Sequence, residues 1–126
     1  MIEHFALDVA DPVGMAEWYV EHLGLIVARH IPVPSQGHFL TDARRVVAIE
    51  IYRNTDVQTP DYADLDPLLL HLAFTSEHPM ADKERLLAAG ATFVSEQNFP
   101  DGSCLVMLRD PWGLAVQLCK RGKPLF

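Results

Sequence analysis

Two histidines and two oxygen-bearing side chains recur in this chain at one spacing. His71 follows His4 by 67 positions, and Gln117 follows Glu50 by the same 67. Each histidine has an alanine two places later, and Glu50 and Gln117 each have an alanine two places earlier. Two imidazoles, a carboxylate and an amide oxygen suit a divalent first-row metal ion such as Zn, Ni, Mn, Co or Fe. A single such residue is better explained by a solvated strand face, but the shared offset favours a metal site.

A repeated unit of about 67 residues explains the common offset. Alternation and helix-end signals predict a strand, a helix and three strands in each half of the chain. The predicted strands are residues 2–9, 25–31, 37–42 and 45–52, then 68–75, 92–97, 103–109 and 114–120. Asp11 and Pro12 open the first predicted helix, which Gly24 ends, while Ser76 caps the second, which stops at Gly90. Module 1 is therefore about 1–53, the linker 54–66 and module 2 67–126, in one domain.

Strand alternation separates a core face from a functional face, because side chains two apart lie on the same side of a strand. The apolar positions include Leu7, Ile51, Leu72 and Leu118. The four candidate ligands all have the opposite parity. We therefore expect them to point away from the helices, from the first and last strands of each module.

The composition excludes several classes of protein. The chain has 126 residues, 10 Lys plus Arg against 17 Asp plus Glu, and a net charge of −7, with no basic stripe for nucleic acid. It has no apolar run of membrane-spanning length and no leader-like N-terminus, so a cytoplasmic location is expected. Cys104 and Cys119 lie in strand-like runs and are predicted to be free thiols.

Several motifs together resemble the vicinal oxygen chelate superfamily, which comprises glyoxalase, bleomycin-resistance and extradiol-dioxygenase proteins. The resemblance covers nearly the whole chain. Its motifs are Glu3-His4-Phe5-Ala6-Leu7-Asp8-Val9, the helix end Tyr19-Val20-Glu21-His22-Leu23-Gly24-Leu25, Ala48-Ile49-Glu50-Ile51, His71-Leu72-Ala73-Phe74, Ala88-Ala89-Gly90-Ala91 and Asp110-Pro111-Trp112-Gly113-Leu114-Ala115-Val116-Gln117.

The resemblance implies an α+β fold of two tandem βαβββ modules whose curled mixed sheets form half-barrels around a metal. The matching ligands are His4, Glu50, His71 and Gln117, and a homodimer is expected. It also implies a lyase or isomerase that transfers a proton on a small oxygen-chelating substrate. Gln117 stands where glyoxalase I has a glutamate, and an amide cannot accept a proton at neutral pH. Glu50 is therefore the predicted catalytic base.

Two alternatives remain open at the level of sequence. One is a non-catalytic, bleomycin-resistance-like protein that binds a small molecule, and the other is a metal-dependent dioxygenase using His4, His71 and Glu50. The dioxygenase is disfavoured because its carboxylate comes from the last strand in the family. The resemblance and the strand pattern also give a predicted substrate pocket, formed by Asp8, His38, Leu40, Tyr52, Asn54 and Trp112. Asp8 stands where bacterial glyoxalase I has an arginine that faces glutathione.

Overall fold

Each half of the chain begins with a strand that leads into a helix. The computed structural model describes all 126 residues, Met1–Phe126. Strand β1, His4–Asp8, precedes helix α1, Pro12–Leu23. The Asp11 side chain accepts a hydrogen bond from the backbone N–H of Gly14 at 3.0 Å, and the helix ends at Gly24, whose φ of 70° is left-handed. Both predicted ends of this helix are confirmed.

The first sheet contains one parallel and two antiparallel pairings. Strands β2, Ile26–His30, β3, His38–Thr41, and β4, Ala48–Tyr52, complete it. The strand order is β1-β4-β3-β2, and β1 is parallel to β4. The core between this sheet and α1 contains the fully buried side chains of Met15, Tyr19, Leu40 and Ile51.

The second module repeats this arrangement. It consists of β5, Leu72–Thr75, α2, Pro79–Ala88, β6, Thr92–Asn98, β7, Cys104–Arg109, and β8, Ala115–Lys120. Its sheet has the order β5-β8-β7-β6, with β5 parallel to β8. Its core contains the buried side chains of Leu86, Val106, Leu108, Leu114 and Val116.

The repeat extends to the register of the strands. Phe5 lies opposite Ile49, and Leu72 lies opposite Val116, so both partners shift by the same 67 positions. A register irregularity lies in β2 between Val27 and Arg29 and recurs in β6 between Phe93 and Ser95. The predicted α+β fold of two tandem βαβββ modules is confirmed, with each four-stranded sheet open.

The chain divides into two compact units, residues 1–60 and 61–126. This boundary lies inside the predicted linker, which contains a short 3₁₀ helix, Tyr62–Asp64. Both cysteines are free and buried, in agreement with the prediction of free thiols. None of the helices combines the length and the apolar character needed to cross a bilayer.

Polar side chains shorten one predicted strand and move one predicted cap. β5 begins at Leu72 rather than at residue 68, because Asp66 folds this segment into a turn. Its Oδ1 accepts from the backbone N–H of Leu68 and its carbonyl oxygen from that of Leu69, at 2.9 Å each. Ser76 does not cap α2, since His78 occupies that position without a side-chain hydrogen bond. The Ser76 hydroxyl instead donates to Asp82 Oδ2 at 2.6 Å.

The hairpin between β3 and β4 is also longer than predicted. Its loop spans residues 42–47 rather than a short turn at Ala43-Arg44. Asp42 Oδ1 accepts hydrogen bonds from the backbone N–H groups of Arg44 and Arg45 at 2.9 and 3.2 Å, and Arg45 has a φ of 54°. The Asp42 carboxylate therefore organises the loop and sets the start of β4 at Ala48.

Candidate metal and substrate site

Two of the predicted ligands meet on neighbouring parallel strands of module 1. In the β1–β4 register His4 lies opposite Ala48, and Glu50 lies opposite Ala6. His4 Nε2 is 3.5 Å from Glu50 Oε2, and the exposed fractions of the two side chains are 34% and 19%. Because the intervening partners are alanines, no larger side chain on these strands separates the imidazole from the carboxylate.

Both predicted histidine ligands have their Nδ1 atom held by an oxygen. His4 Nδ1 lies 2.5 Å from Glu3 Oε2, and His71 Nδ1 lies 2.8 Å from the carbonyl oxygen of Pro67. A carbonyl or carboxylate oxygen can only accept, so Nδ1 carries the proton and a neutral ring has its lone pair on Nε2. Metal-ligating histidines are commonly oriented in this way.

Module 2 places the other two predicted ligands at corresponding positions. His71 directly precedes β5, and Gln117 lies opposite Ala73 as Glu50 lies opposite Ala6. Gln117 Oε1 accepts a weak hydrogen bond from the Cys119 thiol at 3.1 Å. Burial raises the pKa of this thiol, which keeps Cys119 in the protonated form that donates.

The acidic, histidine and cysteine side chains form no metal-binding cluster of three or more. No three of them lie close enough together to hold a metal ion on their own. The direct contact among the predicted ligands is that of His4 with Glu50 in module 1. Of the other two predicted ligands, His71 directly precedes β5 and Gln117 lies in β8, both in module 2.

The third strand presents a different residue to this face from those predicted. Phe39 lies opposite Glu50, whereas His38 lies opposite Ile51 and Leu40 opposite Ile49. His38 and Leu40 therefore face away from Glu50, and Leu40 is fully buried. The Phe39 ring instead contacts His4 edge-on, with the ring centroids 5.4 Å apart.

The ring of His38 packs against that of a second histidine at an interplanar angle of 38°. The His30 and His38 ring centroids are 4.6 Å apart, and His38 Nδ1 lies 2.8 Å from the Gln36 carbonyl oxygen. Burial lowers the pKa of His38 below its ordinary value, and the charge of His30 acts in the same direction. The Gln36 carbonyl and the charge of Glu17 partly oppose this shift.

Asp8 and Asn54 hold the segment that follows β4. Asp8 lies opposite Tyr52, on the face that carries Glu50. One Asp8 oxygen accepts from the backbone N–H of Asn54 at 2.7 Å, and the other accepts from the Thr59 hydroxyl. Arg53 donates to the same hydroxyl at 2.8 Å. Both Asp8 oxygens are thus engaged in positioning residues 54–59, beside the half-buried Tyr52.

Trp112 lies in the turn between β7 and β8. Its backbone N–H donates to Asp110 Oδ1 at 2.9 Å, and the same oxygen accepts from the N–H of Leu114 at 2.9 Å. Gly113 closes the turn with a φ of 90°. The structure thus places Trp112 in module 2, whereas the other predicted pocket residues belong to module 1 and the segment after it.

An open pocket of about 390 Å³ lies on the functional face of module 1. His4, Phe39 and Thr41 form part of its lining, together with Arg29 and Arg45. The predicted pocket contains the two neighbours of Phe39 on the third strand, His38 and Leu40, and neither arginine. Phe39 pairs with Glu50 across the β3–β4 hairpin, so strand alternation identifies it as a pocket residue once the length of the hairpin loop is known. Arg29 lies at the bulge in β2, which alternation does not predict.

Comparison with known proteins identifies the family of this chain and solved structures with a similar fold. The family model described as a glyoxalase-like domain matches residues 4–119. A search of functionally curated proteins returned no match. The crystal structure of SMU.1112c is 27% identical, with a TM-score of 0.71, and the alignment covers 95% of this chain and 98% of that one.

Two further solved structures have the same fold at lower identity. TnmS3, an antibiotic-binding protein from Streptomyces sp. CB03234, is 20% identical, with a TM-score of 0.71 and coverage of 94% of this chain and 93% of its own. The E144Q mutant of glyoxalase I from Zea mays is 21% identical, with a TM-score of 0.74, covering 97% of this chain and 46% of its own. At these identities the similarity establishes the fold, but not the reaction or the ligand.

Proposed function

Because the chain belongs to the glyoxalase-like domain family, we propose that it is a metal-dependent lyase or isomerase that moves a proton beside a carbonyl group of a small, oxygen-rich substrate. The proposal depends above all on the approach of His4 Nε2 to Glu50 Oε2 at 3.5 Å. With Nδ1 of His4 protonated, both facing atoms bear lone pairs unless the ring itself is protonated. A cation between them removes that repulsion.

The donor set fits a divalent metal. His4 and His71 provide imidazole nitrogens whose other ring nitrogen is held by an oxygen, and Glu50 and Gln117 provide side-chain oxygens at corresponding register positions. Zn, Ni, Co, Mn and Fe all accept this mixture of ligands. When bound, such an ion polarises a substrate carbonyl and stabilises negative charge on oxygen.

Glu50 has the properties required of the base. It is the only carboxylate among the four positions, and its side chain is 19% exposed, so a proton acceptor faces the pocket side of the sheet with limited access to water. Gln117 cannot perform this step because an amide is not a base at neutral pH. Glu50 accepts the substrate proton, with the His4 imidazole 3.5 Å away and Phe39 at the opposite register position on β3.

The first experiment measures metal in protein purified without chelator or affinity metal. We expect close to one ion per site in the wild type and a loss of that ion in the His4→Ala, His71→Ala double variant. Failure to bind any of the five metals after reconstitution contradicts the proposal. Retention of the ion in the double variant contradicts this ligand set.

The second experiment tests the base by deuterium exchange in D2O, followed by NMR. The probes are hydroxyacetone and dihydroxyacetone, whose neighbouring oxygens can chelate the ion. Glu50→Gln is expected to lower the exchange rate of the metal-loaded protein by about 10² to 10⁴. Glu77→Gln is the matched control, because Glu77 is exposed and lies in module 2. Equal exchange in the two variants would remove Glu50 from the reaction.

Binding without catalysis is a second candidate, favoured by the pocket in module 1. Phe39 and Val46 provide apolar surface in a pocket of about 390 Å³, a size that accommodates a drug-like ligand. TnmS3 is described as an antibiotic-binding protein. Under this function Glu50→Gln leaves ligand affinity unchanged and no metal-dependent exchange is measurable in the wild type.

A further inference from the structure

Two arginines without ionic partners line the pocket of module 1. Arg29 and Arg45 both contribute to its wall, and neither guanidinium forms a salt bridge or a side-chain hydrogen bond within the chain. Arg53, Arg85 and Arg109, in contrast, each donate to an oxygen of the protein. Two free guanidinium groups at one pocket leave their planar N–H donors available to a ligand.

The strand register places Arg29 in line with the proposed base. Glu50 lies opposite Phe39 on β3, and Phe39 lies opposite Arg29 on β2. These three residues form a row across the sheet, and two strand spacings separate Glu50 from Arg29 by about 10 Å. Arg45 approaches the pocket from the β3–β4 loop, where Asp42 holds its backbone.

The local charge of the pocket differs from that of the whole chain. The net charge is −7, which repels anions at long range. Glu3 is the acidic residue of the pocket wall, and its carboxylate is paired with His4 Nδ1. Among the residues of the pocket wall, Arg29 and Arg45 therefore carry positive charge that no acidic side chain of the wall pairs, while Glu3 lies beside His4.

We propose that Arg29 and Arg45 bind an anionic group, a carboxylate or a phosphate, carried by the substrate. The ligand then has three parts: oxygens that approach His4 and Glu50, a middle that packs on Phe39, and an anion about 10 Å from the base. The guanidinium fork binds either anion through two parallel hydrogen bonds. This inference rests on the proposed function only in taking Glu50, which lies 3.5 Å from the pocket residue His4, as the reacting group.

The anion site is tested on metal-free protein, with the chelator dialysed away because it is itself a polyanion. Inorganic phosphate and propionate are titrated separately at low ionic strength, and the backbone N–H signals of Phe39, Thr41 and Arg45 are followed by NMR. At least one probe should give saturable shifts at these positions. Salt should weaken the binding, because the arginines are exposed and screened. The probe that binds more tightly identifies the anion.

Three variants separate this site from general surface charge. Arg29→Gln and Arg45→Gln are each expected to raise the Kd of the probe at least about tenfold. Arg44→Gln is the matched control, since Arg44 is equally exposed and its N–H also binds Asp42, but it does not line the pocket. No saturable shift with either probe, or an equal loss in the Arg44→Gln variant, overturns the inference.

The two proposals fail in different ways. If metal binding and Glu50-dependent exchange are present but Arg29→Gln does not alter probe affinity, only the anion site is wrong. If the probe binds through Arg29 and Arg45 but the protein never takes up metal, the proposed enzyme function is wrong and the pocket remains an anion-binding site.

Discussion

His4 and His38 in module 1 illustrate how the face of the sheet on which a histidine lies determines the role of its imidazole. His4 lies on the face of Glu50, with Nδ1 held by Glu3 and Nε2 directed at the carboxylate. His38, on the opposite face, packs against His30 and is partly desolvated. The first arrangement suits a ligand, whereas the second makes protonation unfavourable.

Acid is expected to destabilise the fold through His38. Burial lowers the pKa of His38 in the folded state below the ordinary value of 6.5, so the unfolded chain binds more protons as the pH falls below about 6.5. The contribution of His38 is complete above that pH and is lost as the pH falls towards the folded-state pKa. Urea unfolding at pH 7.5 and 5.5 measures this loss.

The variant His38→Gln should reduce the difference in unfolding free energy between the two pH values. His78→Gln serves as the control, because His78 is exposed at the start of α2 and has no side-chain capping bond. An unchanged pH dependence in the His38→Gln variant would show that other groups cause the acid sensitivity.

At the scale of residues, alternation predicted the functional face only where a strand is regular. His4 and Glu50 follow from their parity within β1 and β4, and the structure places them in contact. Leu40 was predicted for the pocket but Phe39 lies there, because register across a hairpin depends on the length of its turn. Arg29 was missed because the bulge in β2 alters the alternation.

At the scale of elements, the turn between β7 and β8 is fixed by close packing against the 3₁₀ helix. A Cβ added to Gly113 would lie 2.7 Å from both Ala63 Cβ and the Ala63 nitrogen. Arg109 holds the same region by donating to the carbonyl oxygens of Tyr62, Gly113 and Leu65 at 2.8, 2.9 and 2.7 Å. The turn therefore cannot shift without disturbing residues 62–65.

The variant Gly113→Ala should destabilise the protein more than Gly102→Ala. Both glycines have positive φ, 90° and 85°, so both substitutions cost about 1 kcal/mol in backbone strain. Gly102 has open space around it, whereas Gly113 meets Ala63, which adds a clash of about 1 to 3 kcal/mol. Urea unfolding gives the change in the free energy of unfolding for both variants. Equal destabilisation would show that the 3₁₀ helix moves away from the added methyl group at no cost in free energy.

The boundaries of α1 were predictable because their signals are local, while the cap of α2 and the turns that depend on side-chain hydrogen bonds were not. Asp11, Pro12 and Gly24 define α1 through capping and backbone conformation alone. The apolar run that begins at Leu68 favoured a strand, but the Asp66 carboxylate binds the N–H of Leu68, and the Asp66 carbonyl oxygen closes the turn with the N–H of Leu69. Side-chain hydrogen bonds of this kind compete with strand formation.

At the scale of the whole molecule, the sequence repeat predicted the βαβββ architecture because both copies preserve polarity as well as hydrophobicity. The same 67-residue offset relates the pairs Ala6–Glu50 and Ala73–Gln117 in the two sheets. A fixed register of this kind keeps polar groups at one place on each functional face. Each module provides one imidazole and one side-chain oxygen, which is half of the proposed metal site.

Metal binding should consequently stabilise the protein only when both modules contribute ligands. At a free metal concentration 100 times the Kd, binding adds about 2.7 kcal/mol, which corresponds to a rise of about 10 °C in the Tm of a chain of this size. Calorimetry of the wild type with Zn or Ni measures this rise. His4→Ala and His71→Ala should each abolish it, although the two residues belong to different modules. If His71→Ala keeps the full rise while His4→Ala loses it, the metal is held by module 1 alone, through the pair formed with Glu50.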